Sequence, residues 1–482
     1  MKEKSAQLKI FLQKKNFSTL FLLFLCVVIY TGFLSSSVQA QNVVNIERFS
    51  EARGETIDGE PVRKLYNAKL SVGNVQMICD SAWQFINRNE IRAFGNIQIE
   101  TDTETIWSDT LYYYTNRDLS LLRGRVIILQ DSTTLFGEKV DYNFLTKVAH
   151  FREGIRLEDE DGILTALQGT YIQNQDSAIF RGMVQLADSA QYAEGDSLFI
   201  NRSTKFLQLY SNVFVADSTN NAVLSGDFIE ADSTGRRFVY GNAYLRRISA
   251  DTTDTTHINA EQLLLIREDT TSLINGFQNV RVWSPKFSSV SDTLRYNSET
   301  EIFQLIFKPI AWHKNIQLTG PFISVRLDSN EVQELKSYHK TIAVQEDSVT
   351  GRLHQIKGDT LIASFEDGEI STILIYPNSQ VLYHTTNEDD EPDGAVEYTS
   401  PITTMYFRQG DLRRVVAGEN EGYFFQEYEA LKDRKLNGFS WNPERSPQKP
   451  EVEIQPQWPP VLRERPFDMP RRFIEYIEIQ EP

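Results

Sequence analysis

Gly95-Asn-Ile-Gln-Ile99 decides the fold, because its pattern returns along the chain at nearly constant spacing. Steps of 29 residues from Gly95 land on Gly124, Glu153, Gly182 and Ser211. A step of 30 then reaches Gly241, and one of 37 reaches Gln278. Two residues beyond these anchors stand Ile97, Val126, Ile155, Val184, Val213, Ala243 and Val280. Four beyond stand Ile99, Ile128, Leu157, Leu186, Val215, Leu245 and Val282. All fourteen are apolar, and Ala93, Leu122, Phe151, Phe180, Leu209 and Val239 repeat the pattern two residues before. Apolar residues at alternate positions mark a strand with one buried face. Asn96 and Gln98 fall on its wet face.

A second strand precedes each anchor, as in Asp80-Ser-Ala-Trp83, Asp109-Thr-Leu-Tyr112 and Asp196-Ser-Leu-Phe199, and again at Asp292 and Asp359. The recurring aspartates read as residues that open a strand after a turn. Each unit is therefore strand, turn, strand, turn, with no room for a helix. One unit cannot bury its apolar face alone, whereas stacked units bury a continuous strip. The expected fold is all-β, an open twisted stack of strand-turn-strand repeats about 29 residues long. Its apolar strip either closes as a dry core or stays open as a groove. Beyond about Thr270 the units continue with irregular spacing, as in Ile302-Phe-Gln-Leu-Ile306. Nine of the sixteen prolines lie between Pro443 and Pro482, so the end of the chain reads as an extended tail, either a linker or a partner-binding arm.

Composition excludes several functions. The 482 residues hold 49 Lys+Arg against 66 Asp+Glu, a net charge of −17 that argues against nucleic-acid binding. Five lysines, the apolar run Leu20–Tyr30 and Val38-Gln-Ala40 have the layout of a cleavable secretory signal over 1–40. Its removal takes away Cys26 and leaves Cys79 alone, so no internal disulfide is expected. Six histidines are scattered, with only His354 and His384, one repeat apart, placed to meet on neighbouring units. Gly-x-Ser-x-Gly, phosphate-loop and His-Glu-x-x-His motifs are all missing, so neither an enzyme nor a cofactor is expected.

The stretch from Val126-Ile-Ile-Leu-Gln130 to Glu153-Gly-Ile-Arg-Leu157, with Gly95-Asn-Ile-Gln-Ile99 and Gly73-Asn-Val-Gln-Met77, resembles the OstA-like (organic-solvent-tolerance) repeat. That family includes LptA and the N-terminal domain of LptD, which carry lipopolysaccharide. The resemblance implies a twisted β-jellyroll open along one side, spanning 41–256, with a second, less regular OstA-like region over 257–430 and a proline-rich tail over 431–482. It implies a non-enzymatic periplasmic carrier or bridge that moves lipopolysaccharide towards the outer membrane with its acyl chains in an apolar slot. The slot candidates are Ile97, Ile99, Val126, Ile128, Ile155, Leu157, Val184, Leu186, Val213 and Val215. Implied partners are lipopolysaccharide or lipid A, and other Lpt-type jellyroll proteins joined end to end by strand-edge pairing. The protein would be peripheral to the inner and outer membranes. A bridge like LptA and an acceptor like LptD both stay open. The competing reading is a structural or adhesive solenoid of the cell envelope with a closed core.

Overall fold

The computed structural model describes residues 43–248, 254–268, 270–328, 331–348, 350–387, 391–409, 411–426, 431–450, 465 and 467–480. The proposed signal segment lies outside them. Among the described residues, 32 strands form one antiparallel sheet, a meander of chain neighbours over most of its length with skipped pairings where a strand is broken at the bend. The chain is thus all-β, as the alternation predicts.

The anchors are not strand starts but bends. Glu90–Glu100 is a single strand, and Gly95 and Asn96 sit in its middle with φ of 74° and 44°. Pairs of left-handed residues recur at Gly124/Arg125, Gly182/Met183, Ser211/Asn212, Gly241/Asn242, Gln278/Asn279 and His339/Lys340. The ladders slip at each, for example between Phe94 and Ile97 and between Arg123 and Val126. An extra residue in one strand bends it and sharpens its twist. Residues 90–94 therefore belong to a first wall and 97–100 to a second. Both contribute to one core: Ile91, Ala93, Ile97 and Ile99 join a cluster that runs from Leu65 to Met405.

The recurring aspartates correct the sequence reading. Asp80, Asp109 and Asp196 lie inside Val75–Phe85, Thr105–Tyr114 and Gln191–Asn201, opposite the bends, and do not open strands. Each carboxylate locks a bend. Asn96 Nδ2 donates to Asp80 Oδ2 at 2.7 Å, and Asn212 Nδ2 to Asp196 Oδ2 at 3.0 Å. Arg125 grips Asp109 with both arms, at 3.0 Å and 2.6 Å. Further along, Asn242 meets Asp227 at 3.3 Å and Asn378 meets Asp359 at 2.7 Å. A side chain at Gly124 would put its Cβ 2.8 Å from Asp109 Oδ2. Inside the bend, Gly195 and Gly226 leave room for Leu209 and Val239 of the opposite wall, whose carbons a Cβ would meet at 2.9 Å and 2.6 Å.

The tail returns along the outer face of the second wall. Leu436 N–H donates to Gln355 Oε1 (2.8 Å), Asn442 N–H to Gln317 Oε1 (2.8 Å), and Ser446 meets Ser288 (2.7 Å). Farther on, Arg465 pairs with Glu158, and the helix Arg471–Gln480 sets Phe473 and Tyr476 edge-on to Trp107 at 5.0 Å and 5.3 Å. Tail positions 436, 442, 446, 465 and 473 thus meet sheet positions 355, 317, 288, 158 and 107, in reverse chain order.

The bend geometry makes a specific stability prediction. Gly124→Ala adds left-handed strain and a contact with Asp109, and should cost about 1–3 kcal/mol in urea unfolding. In an Asp109→Ala background the 2.8 Å approach to the carboxylate oxygen is gone and only the Cβ at 3.2 Å remains, so the same change should cost less, about 1 kcal/mol and mostly strain. Equal costs in both backgrounds would show that Asp109 does not close on the bend.

Candidate functional site

Between the walls lies an apolar interior, narrow at the bends and wider at the side where the turns of the two walls face each other. The ten slot candidates divide along this taper. Ile97, Val126, Ile155, Val184 and Val213 stand next to the bends and are buried, Val184 completely. Ile99, Ile128, Leu157, Leu186 and Val215 stand one step nearer the mouth. Ile99 is completely buried and Ile128 nearly so, whereas Leu186 and Val215 are half-buried.

The difference has a cause in packing. Around Ile99 and Ile128 the interior is filled by Tyr113, Tyr142 and Phe144, whose rings meet edge-on at 5.2 Å and 5.1 Å. Around Leu186 the first wall offers smaller side chains, Ala178 and Ala231, together with Ile200 and Leu207. A cavity of about 490 Å³ results, lined by Leu157, Leu164, Leu186, Ala193, Leu207 and Val215. The structure therefore brings three of the ten candidates together in one space and places the other seven outside its lining.

The mouth is crossed by polar pairs, which the strand pattern did not identify. Glu104, on a second-wall turn, accepts from Tyr142 Oη and Lys147 Nζ of the first wall, both at 2.7 Å, and from Gln173 Nε2 at 3.1 Å. Tyr171 Oη reaches Gln130 at 3.3 Å. Arg202 joins Asp159 at 2.9 Å and donates to Thr133 at 2.7 Å. Arg237 faces Asp217 at 3.9 Å. In the later units the polarity reverses: Lys286 pairs with Glu331, and Lys314 with Glu369 at 2.5 Å. Burial alone would raise the Glu104 pKa, but its bonds from Lys147, Thr103 and Tyr142 outweigh burial and hold it below the ordinary carboxylate value. A repeat signal for these residues exists: Gln130, Asp159, Asp188 and Asp217 follow one another at steps of 29.

At both ends of the stack the strands have one neighbour each among the described residues. Val44–Arg48 and Glu51–Ile57 pair only with Glu60–Val72. Asp411–Ala417 and Glu421–Phe425 pair only with their preceding partners. The interior opens at the second end beside Val396, Val416, Tyr423 and Phe424, with Tyr423 66% exposed.

His354 and His384 do meet, with ring centroids 6.0 Å apart. His354 also stacks on Tyr383 at 4.1 Å and lies 3.6 Å from Asp347. No group of His, Cys, Asp and Glu among the described residues is arranged to hold a metal. Burial pushes the His354 pKa down to about 4, against the pull of Asp347 and with a further downward push from His384. Burial and then Arg352 lower that of His384. Cys79 is buried and free, and burial pushes its thiol up to about 12, which leaves it unreactive.

The histidine pair sets an acid limit. A histidine whose folded pKa is depressed stabilises the fold fully above pH 6.5, and that stability is lost as pH falls towards about 4. Unfolding free energy should fall by on the order of 3 kcal/mol across this window. His354→Gln should remove most of that slope, and an unchanged slope in this variant would sink the assignment.

A family model described as OstA-like protein matches residues 41–193. A search of the curated proteins finds no match. The matched stretch contains the bends at Gly95, Gly124 and Gly182, the cross-mouth bridge at Glu104, and Leu157 and Leu186 of the cavity. Over this stretch the chain is similar to the OstA-like family.

Proposed function

We propose that the protein is a non-enzymatic periplasmic carrier or bridge that moves lipopolysaccharide towards the outer membrane, with acyl chains between the walls and the saccharide in water. The observation that carries this reading is the apolar cavity of about 490 Å³ that begins within the OstA-like stretch. Burying one methylene is worth about 0.8 kcal/mol, so a chain of about twelve gains roughly 10 kcal/mol. The attraction is non-directional, which lets a chain slide from rung to rung without breaking hydrogen bonds.

A lipid with several chains enters only when the mouth pairs part. The pairs are suited to that. The carboxylates of these pairs are buried and their cations partly so, and a rung that opens returns both ions to water, which offsets much of the attraction that is lost. The free strand edges at the two ends fit a head-to-tail contact with other jellyroll proteins, which extends rather than closes. The cross-mouth pairs also favour a second reading, a structural solenoid whose mouth stays shut.

Native mass spectrometry and lipid extraction of the protein purified from a Gram-negative envelope separate the two. The carrier brings lipopolysaccharide or lipid A with it. Val215→Phe, or Leu207→Phe on the facing wall, fills the cavity and should lower bound lipid at least about tenfold while circular dichroism stays β-rich. A clean apo mass that added lipopolysaccharide leaves unchanged supports the closed solenoid.

A further inference from the structure

The cavity is too small for a lipid with many chains, and its rim carries charges of both signs. An engineered cavity of about 150 Å³ holds one benzene, and on that scale about 490 Å³ takes roughly eighteen carbons. That is one long acyl chain. The rim has Asp159, Asp161 and Asp188 on second-wall turns and Arg202 and Lys205 on a first-wall turn.

The rim residues are not equivalent. Asp159 divides its oxygens: Oδ1 accepts the N–H groups of Asp161 (2.9 Å) and Gly162 (3.1 Å), and Oδ2 faces Arg202. If another anion takes Arg202, Asp159 keeps its turn bonds and loses only the ion pair. A phosphate is the natural competitor, because a guanidinium binds two of its oxygens at once. A purely anionic head meets three carboxylates at this rim and is repelled. A head with an ammonium a few atoms beyond its phosphate answers both signs.

We propose that the cavity binds a single-chain zwitterionic phospholipid. The chain lies among Leu157, Leu186, Leu207 and Val215. The phosphate sits on Arg202 and Lys205, and the ammonium faces Asp161 and Asp188. This rests on the carrier reading and names the occupant of the slot while its mouth is bridged.

Displacement of a fluorescent single-chain fatty acid from the full chain tests it, with native mass spectrometry for stoichiometry. Lysophosphatidylethanolamine should bind one per protein and displace the probe at about tenfold lower concentration than lysophosphatidylglycerol, the difference expected for one charged contact. Arg202→Gln should weaken lysophosphatidylethanolamine about tenfold. Asp161→Asn should bring the two lipids close together. Equal displacement by both in the unaltered protein, or two or more chains bound per protein, would overturn the assignment and leave the carrier reading standing. Failure of every amphiphile, lipopolysaccharide included, to bind would overturn both.

Discussion

A strand with one apolar face must hide that face, and among the described residues no α-helix lies within the repeats to cover it. Its solution is to bend alternate strands back over themselves at two consecutive left-handed residues, with the strand between following the bend. Everything else follows from that bend. Left-handed backbone is costly for ordinary residues, so it persists only where its surroundings hold it. Here the carboxylate of the strand opposite holds it, by accepting from the second residue of the pair at Asn96, Arg125, Asn212 and Asn242. The lock is polar and faces water, while the apolar face closes inside. A lost lock therefore loosens one rung rather than flooding the core.

The bend also explains why the interior tapers. At the apex the walls are so close that Gly195 and Gly226 leave no room for a Cβ. At the mouth the walls have diverged by several residues, and something must fill the gap. The first units fill it with Tyr113, Tyr142 and Phe144. The middle units place alanines at 178, 193 and 231 there, and space remains. The slot is thus a local shortage of side-chain volume in a continuous fold, and its position is set by a few small residues.

The alternation at Ile97/Ile99 and its successors made the strands, their buried face and their stacking legible, because a period of two needs no knowledge of partners. The bend was not legible. Gly95 resembles an ordinary turn glycine, and Asp80 an ordinary turn aspartate, until their strands are paired and the carboxylate meets Asn96. The difference between Val184 and Leu186 was invisible for the same reason. Both are apolar at alternate positions, and only the facing wall decides which one is packed and which borders a cavity. The mouth pairs lay between: Asp159 and Asp217 are in phase with the repeat, but Arg202 and Arg237 come from other turns. The tail was least legible, because its contacts reach back more than three hundred residues, from Arg465 to Glu158.

That return of the tail bears on how the stack can open. In a stack of repeats each unit touches only its neighbours, so strain in one rung passes along the row. Residues 436–446 add bonds to Gln355, Gln317 and Ser288, and Phe473 and Tyr476 cover Trp107, all on the outer face of the second wall. These contacts stiffen that wall from outside without entering the mouth. The first wall has no such cover among the described contacts, and it supplies Lys147, Arg202 and Arg237 to the bridges. If the mouth parts, the free movement belongs to the first wall, hinged at the bends and carrying its cations away from a second wall held in place by the tail.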